Sequence, residues 1–168
     1  DSYQEPLRAA HVLCDADERR KLIAEQVSAL AGPNESVALA DDLLGEVTGL
    51  VEWPVALRGS FDERFLEIPA QALISAMKNH QKYFHLTDTT TDALLPAFVT
   101  VSNIDSRTPS EVISGNERVI RPRLSDAAFF FSNDKKEPLA SRQERLGGVV
   151  FQHKLGTLLE KTHRIAKV

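Results

Sequence analysis

The chain has 168 residues, 42% of them hydrophobic and 26% charged, and a formal net charge of −4. This composition is typical of a globular chain that can bury a core, and eight glycines and eight prolines exclude a collagen-like or low-complexity protein. The single cysteine, Cys14, excludes an intramolecular disulfide framework and favours a reducing, cytoplasmic location. No apolar run reaches the roughly 18 residues that span a bilayer, so no membrane partner is expected.

Acidic and basic residues are unevenly distributed along the chain. Residues 1–52 hold eleven Asp or Glu and four Lys or Arg, whereas residues 53–168 hold thirteen and sixteen. The net charge therefore changes from −7 to +3, which is well short of the clustered excess of a stand-alone nucleic-acid-binding protein. Two interpretations stay open: ordinary solvated surfaces, or an anionic ligand that contacts the later part.

The acidic beginning predicts two helices. Asp15 starts a capping-box pattern before an apolar stripe that ends at Gly32-Pro33. A second helix is predicted from about Val37 to Leu50. It ends before Pro54, because a residue that precedes proline avoids the helical region.

The middle of the chain predicts a small sheet with helices. Val55–Arg58 and Arg64–Ile68 are short apolar segments that are predicted to pair as strands. Residues 82–86 and 97–101 read as two more strands, and residues 70–77 carry the apolar spacing of a helix. Strands interleaved with short helices, without regular crossover units, predict the α+β class.

The last third of the chain is predicted to be mainly helical. Residues 111–119 form one short element, and Pro122 is expected to open another helix, since proline is tolerated in a first helical turn. Residues 138–146 are predicted to form a third helical segment. The spacing of apolar residues from Leu155 onward predicts a final helix.

These patterns divide the chain into three parts. Residues 1–50 are interpreted as an acidic helical lead-in, residues 51–151 as an α+β domain, and residues 152–168 as the start of a further helix. The chain begins with Asp1 rather than Met, and its last helical pattern is cut at Val168. We therefore expect an excised piece of a longer protein.

Motifs of known catalytic chemistry are absent from the sequence. It contains no Walker-type phosphate loop, no dinucleotide-binding glycine motif and no GxSxG elbow. The five histidines lack the spacing of a metal-ligand pair, and no second cysteine is present. Neither a catalytic residue nor a metal site is predicted.

The stretch 115–124 is the first candidate binding segment. It contains an amide and three arginines: Asn116, Arg118, Arg121 and Arg123. If Pro122 opens a helix, two of these arginines flank its N-terminus, where unpaired N–H groups and the helix dipole favour a phosphate. The alternative is a surface ion pair between Arg123 and Asp126, and the residues do not decide between the two.

The stretch 77–84 is the second candidate binding segment. It places two cations, amide donors and aromatic rings at a predicted helix-to-strand turn, a composition suited to backbone and base contacts on RNA. The proposed contacts are Lys78, His80, Lys82 and Tyr83. The alternative is that Tyr83 or Phe84 belongs to the core while the lysines are solvated.

Several blocks, in the correct order, resemble the beta subunit of the bacterial two-subunit glycyl-tRNA synthetase. They are VEWP at 51–54, FLEIP at 65–69, MKNHQKYF at 77–84, GNERV at 115–119, RPRLSDA at 121–127, FFF at 129–131, and FQ and KLGT within 151–157. The resemblance is strong over about residues 50–168 and weak over the acidic beginning.

This resemblance implies an assembly of alpha and beta chains that joins glycine to its tRNA. In that family the aminoacylation site, with its ATP and Mg²⁺, belongs to the alpha chain, so no cofactor is expected here. The implied partners are the glycyl-tRNA synthetase alpha subunit, tRNA(Gly) and the remaining domains of the beta chain. Residues 51–151 are expected to resemble the editing-type domain of the phenylalanyl-tRNA synthetase beta chain, with a small, mainly antiparallel sheet, and residues 152–168 to lead into an HD-like helical domain.

Three functions stay open for this part of such an enzyme. The preferred one is tRNA acceptor-arm binding and scaffolding through residues 78–84 and 115–123. The second is an editing hydrolase for mischarged tRNA, although no activated nucleophile or metal set supports it. The third is a structural spacer that positions the alpha chain.

Overall fold

The computed structural model describes residues 3–168, which form two compact units divided between Ala128 and Phe129. Both helices of the predicted lead-in belong to the first unit, where they pack against its sheet. Within the described part of the chain, no helix is both long and apolar enough to cross a membrane.

The first unit consists of short helices and a sheet. Its helices are α1 (Gln4–Ala9), α2 (Ala16–Ala29), α3 (Asp41–Leu50) and α4 (Ala70–Ser75), with a 3₁₀ segment at Glu63–Glu67 and a π-helical segment at Ala76–Gln81. Its strands are β1 (Glu35–Val37), β2 (Val55–Ser60), β3 (Phe84–Asp88) and β4 (Leu94–Ser102). Helix α5 (Pro109–Asp134) begins in this unit and ends in the second.

The second unit is a small hairpin-and-helix arrangement. It contains 3₁₀ segments at Leu139–Arg142 and Glu144–Gly148, strands β5 (Val150–Gln152) and β6 (Gly156–Thr157), and helix α6 (Leu158–Ile165). Thr157 and Glu160 form a capping box that starts α6, because each side chain bonds the other residue's backbone N–H. The predicted final helix is therefore confirmed.

The sheet of the first unit is antiparallel throughout, with the strand order β1-β3-β4-β2. Strand β4 is an interior strand that pairs with β3 and β2, and its Phe98 lies opposite Gly59 of β2. The prediction of an α+β fold with an antiparallel sheet is confirmed. The strand order leaves β1 and β2 as the two edges.

One face of the sheet packs against α2 and α3. Ile23 and Val27 of α2 and Val47 of α3 join Phe84 and Val99 of the sheet in one apolar cluster. Side chains alternate along a strand, so Phe98 lies on the opposite face from Val99. Helices α2 and α3 therefore cover one face of the sheet. The opposite face, which carries Phe98, packs against residues that come after β2 in the chain, such as Tyr83.

Gly59 is required where β2 passes Phe98. A Cβ atom at position 59 would lie 2.5 Å from the Phe98 Cζ atom, which is closer than carbon atoms approach. Phe98 is fully buried and stacks on Tyr83 with ring centroids 4.4 Å apart. The aromatic pair is therefore positioned directly against the β2 backbone.

An ion pair joins the two edge strands. The Arg58 guanidinium donates two hydrogen bonds to the Glu35 carboxylate, one of them at 2.9 Å, and a third to the Leu30 carbonyl at the end of α2. Hydrogen bonds from Arg58 and from the Gly32 N–H lower the pKa of Glu35 to about 2. This bidentate pair links β1, β2 and the end of α2.

Side chains occupy the open edge of β2. The Gln26 amide accepts a hydrogen bond from Ala56 N at 2.8 Å and donates one to the Pro54 carbonyl at 3.1 Å. Further along, Ser60 N donates to the Glu117 carboxylate at 2.8 Å. These contacts satisfy edge groups that would otherwise pair with another strand.

Three local predictions are wrong. The predicted strand at residues 64–68 falls mostly in the 3₁₀ segment Glu63–Glu67, because Asp62 caps the backbone N–H of Arg64. The predicted helix from Val37 starts at Asp41, because residues 35–37 pair with β3 as a strand. Residues 111–119 and the segment after Pro122 are not separate helices but parts of α5.

The Glu35–Arg58 pair predicts a specific acid sensitivity. Glu35→Gln is expected to lower the free energy of unfolding at pH 7 by about 2 kcal/mol, less than the full pKa shift implies because solvent screens Arg58. The folded-state pKa of Glu35 is depressed, so its contribution is present above about pH 4.5 and is lost as the pH falls toward 2.

Urea unfolding followed by circular dichroism at pH 7, 4 and 2.5 measures this difference. Glu25→Gln on the exposed side of α2 is the control and should show no comparable pH dependence. A Glu35→Gln deficit that persists unchanged at pH 2.5 would contradict the assignment.

Candidate nucleic-acid interface

Helix α5 continues through Pro122. Ile120 and Leu124, on either side of the proline, are fully buried, whereas Pro122 itself is exposed. A proline inside a helix loses one hydrogen bond, here to the Arg118 carbonyl, and the burial of its neighbours offsets that loss. The expected phosphate site at a helix N-terminus beside Pro122 is therefore wrong, since no helix begins there.

The three arginines of α5 do not form one group. Residues two apart on an α-helix point about 200° from each other, so Arg121 and Arg123 lie on nearly opposite sides. Residues three apart differ by only about 60°, so Arg118 and Arg121 share a side. All three are exposed, but joint binding of one phosphate by Arg121 and Arg123 is excluded.

None of these arginines forms an ion pair with a described carboxylate. The alternative pairing of Arg123 with Asp126 is not observed among residues 3–168. By contrast, Arg8, Arg20, Arg58, Arg142 and Arg145 each contact an Asp or Glu. The α5 arginines therefore lack a carboxylate counter-charge in the described structure, a property that they share with Arg19, Arg107 and Arg164.

The lysines of the second candidate segment are held by α3. Lys78 Nζ lies 2.7 Å from an Asp42 carboxylate oxygen, and Lys82 Nζ lies 2.8 Å from one of Glu46. The hydrogen bond from Lys78 lowers the pKa of Asp42. Both lysine side chains are 31% exposed, so their ammonium groups are already committed to the acidic helix.

The π-helical segment that carries these lysines ends at a left-handed residue. Lys82 has φ 58°, an uncommon conformation for a residue other than glycine, and its Nζ also donates to the Asn79 carbonyl at 3.1 Å. His80 lies on the exposed side of this segment. Neither the π-helical turn nor the left-handed lysine has a signal in the sequence.

Tyr83 and Asn116 meet inside the first unit. Tyr83 is 2% exposed, and its hydroxyl donates to Asn116 Oδ1 at 2.6 Å. Asn116 Nδ2 donates in turn to the Val112 carbonyl at 2.7 Å, and burial raises the pKa of Tyr83 to about 12. These contacts favour the alternative in which Tyr83 belongs to the core and positions α5.

A cleft of about 480 Å³ lies between α5, the end of β2 and the 3₁₀ segment. Its lining residues are Ser60, Phe61, Asp62, Arg64, Phe65, Glu117 and Arg121. Of the predicted site residues, only Arg121 lines it. The other lining residues were missed by the sequence analysis, because they come from segments that lie far apart in the sequence. The sole sequence signal for them is the position of Glu117, one helical turn before Arg121.

The polar groups of the cleft are held in defined positions. Glu117 Oε1 accepts hydrogen bonds from Ser60 N at 2.8 Å and from Ser60 Oγ at 2.9 Å. On the facing side, the Arg64 guanidinium lies 5.0 Å from the Phe65 ring centroid and 3.4 Å from an Asp62 carboxylate oxygen. Hydroxyl, carboxylate, guanidinium and aromatic groups thus converge on one volume.

Comparison with known proteins decides the family. The family model described as glycyl-tRNA synthetase beta subunit matches residues 1–168. The chain belongs to this family. The resemblance seen in the sequence is confirmed, and it extends over the acidic beginning as well.

Individual relatives in the family are similar over the whole chain. The glycine–tRNA ligase beta subunit of Chromohalobacter salexigens is 59% identical over 169 residues. Those of Azotobacter vinelandii and Stutzerimonas stutzeri are 54% and 55% identical over 168 residues. The alignments cover 99–100% of this chain but 24% of each relative, so the chain spans about a quarter of their length.

Among residues 3–168, no three His, Cys, Asp or Glu side chains form a group that could hold a metal ion. The cleft carboxylates Asp62 and Glu117 are engaged by the 3₁₀ segment and by Ser60.

Tyr83→Phe tests whether this member of the beta-subunit family uses Tyr83 structurally. Removing the hydroxyl leaves Asn116 without its buried donor, so the free energy of unfolding should fall by about 1–2 kcal/mol. Urea unfolding measures this loss, and Tyr3→Phe, at an exposed position, is the matched control. An unfolding midpoint equal to that of the wild type would contradict the structural role.

Proposed function

We propose that this chain contributes tRNA binding and scaffolding to a glycine–tRNA ligase. Its family membership and its relatives, named as beta subunits of that ligase, support the proposal. In this proposal the alpha subunit carries the aminoacylation site and uses ATP, while this chain contacts tRNA(Gly). The acceptor arm is the proposed contact, because its 3′ end must reach the site where glycine is attached.

The observation that carries the proposal is the exposed set of arginines on α5. RNA binding depends strongly on cations that can neutralise phosphates. Arg118, Arg121 and Arg123 have no described carboxylate partner, so phosphate contact would not require breaking an existing ion pair. Lys78 and Lys82 would first have to leave Asp42 and Glu46.

The positions of these arginines also suit a contact that extends over several phosphates of an RNA backbone. Arg118 and Arg121 share one side of α5, and Arg123 lies on the other, so they reach different phosphates. A helix held to the sheet through Asn116 and Glu117 presents them at fixed spacing. We therefore assign the tRNA contact to α5 first and to residues 78–82 second.

A triple variant tests the proposal in the complete alpha–beta enzyme. Arg118→Ala, Arg121→Ala and Arg123→Ala together should weaken tRNA(Gly) binding about 10- to 100-fold at moderate salt, since up to three phosphate contacts are lost. The slope of log Kd against log salt should decrease by about two units. Filter binding across a salt series measures both quantities.

Loss of charge alone is controlled by a second triple variant. Lys21→Ala, Lys154→Ala and Lys167→Ala remove the same charge at exposed positions outside α5 and should leave the salt slope close to that of the wild type. If the α5 variant keeps both wild-type affinity and wild-type slope, the assignment of the tRNA contact to α5 is overturned and the structural-spacer function is favoured.

A further inference from the structure

The cleft beside α5 has a combination of groups that phosphate contacts alone do not explain. We propose that it binds one ribonucleotide unit of an RNA chain, with the phosphate at Arg121 and a ribose hydroxyl at Glu117. This inference rests on the proposed tRNA-binding function and names a specific pocket for it. Of the residues that line the cleft, only Arg121 also belongs to the set of α5 arginines proposed above to contact tRNA phosphates.

Arg121 is the available cation of the cleft. It is exposed, it lines the cavity, and among residues 3–168 it forms no ion pair with a carboxylate. Arg64, on the facing side, is already near Asp62 and over the Phe65 ring. A guanidinium without a counter-charge binds a phosphodiester oxygen through charge-assisted hydrogen bonds.

Glu117 supplies a fixed acceptor close to that cation. Both hydrogen bonds from Ser60 go to Oε1, so Oε2 accepts none from the described residues. Because Glu117 precedes Arg121 by four residues, the two side chains lie one helical turn apart on the same side of α5. The cleft therefore offers an acceptor and a cation about one turn apart.

This pairing selects the class of ligand. A free phosphate is disfavoured relative to a phosphodiester, because it carries about twice the negative charge beside the carboxylates of Asp62 and Glu117. A ribonucleotide instead carries a hydroxyl donor next to its phosphate, and a carboxylate that accepts from a ribose hydroxyl is a known means of reading the sugar. The 2′-hydroxyl is also the group that distinguishes RNA from DNA.

The remaining walls suit a nucleotide base. The volume of about 480 Å³ falls within the usual range of small-ligand sites, about 300–1,000 Å³. Phe61 is half-buried at the cavity wall, and its backbone is fixed by a hydrogen bond from its N–H to the Pro96 carbonyl at 3.1 Å. A partly exposed phenyl ring on a fixed backbone is a stacking surface for an unpaired base.

Two single variants separate the phosphate contact from the sugar contact in the complete alpha–beta enzyme. Arg121→Ala should weaken tRNA(Gly) binding about 5- to 10-fold and lower the salt slope by about 0.7–0.9, as the loss of one phosphate contact requires. Glu117→Gln keeps an amide oxygen for Ser60 but replaces the free acceptor with a donor. It should weaken binding about 3- to 5-fold with the salt slope unchanged.

Substitution in the RNA identifies the sugar contact directly. A series of tRNA(Gly) molecules with single 2′-deoxy nucleotides should contain one position at which the wild type loses about 3- to 5-fold in affinity. Glu117→Gln should lose nothing more at that position, because the two changes remove the same hydrogen bond. Urea unfolding of each variant separates this result from a folding defect, and Ser60→Ala, which removes only the Oγ anchor, should give an intermediate loss.

The outcomes distinguish this inference from the proposed function. If the triple arginine variant loses affinity while Arg121→Ala and Glu117→Gln bind as the wild type does, the cleft is not a nucleotide site but α5 still binds tRNA. If Glu117→Gln remains sensitive to the same 2′-deoxy substitution as the wild type, the sugar assignment is overturned. If no α5 variant changes binding, both proposals fail.

Discussion

Helix α5 is attached to the rest of its unit by two neighbouring side chains, and the positions of the α5 arginines proposed to contact RNA depend on them. Asn116 accepts from the buried Tyr83 hydroxyl, and Glu117 accepts twice from Ser60 at the end of β2. One bond lies in the interior, where an unpaired partner costs about 1–3 kcal/mol, and the other closes a sheet edge. Together they fix both the distance of α5 from the sheet and its rotation about its own axis.

The distribution of ion pairs, rather than the net charge, decides which cations face a ligand. The acidic helix α3 neutralises the lysines of the π-helical segment through Asp42 and Glu46. The arginines of α5 have no such partner among the described residues. A chain with a net charge of −4 can thus present three exposed arginines without carboxylate partners, while its acidic residues pair with other cations such as Lys78 and Lys82.

Local signals predicted a large part of the fold. The Asp15 cap was predictable because it acts within three residues, and β4 because residues 97–101 form a short, mostly apolar run of the kind that a buried strand requires. Long-range contacts explain the failures. Proline costs a helix about 3 kcal/mol, which predicts a break at Pro122, but burial of Ile120 and Leu124 outweighs it. The cleft unites β2, the 3₁₀ segment and α5, and no local pattern shows which segments will meet.

Gly59 gives the molecule a point of unusual mutational sensitivity. Any larger residue there displaces Phe98, which cannot retreat because Tyr83 stacks on it, and Tyr83 is bonded in turn to Asn116. A single methyl group added to β2 would therefore displace Phe98 and Tyr83, and through them the helix that carries the arginines. A genetic selection for heat-sensitive forms of the enzyme should recover substitutions at Gly59, and their defect in RNA binding would arise from mechanical displacement rather than from a lost contact.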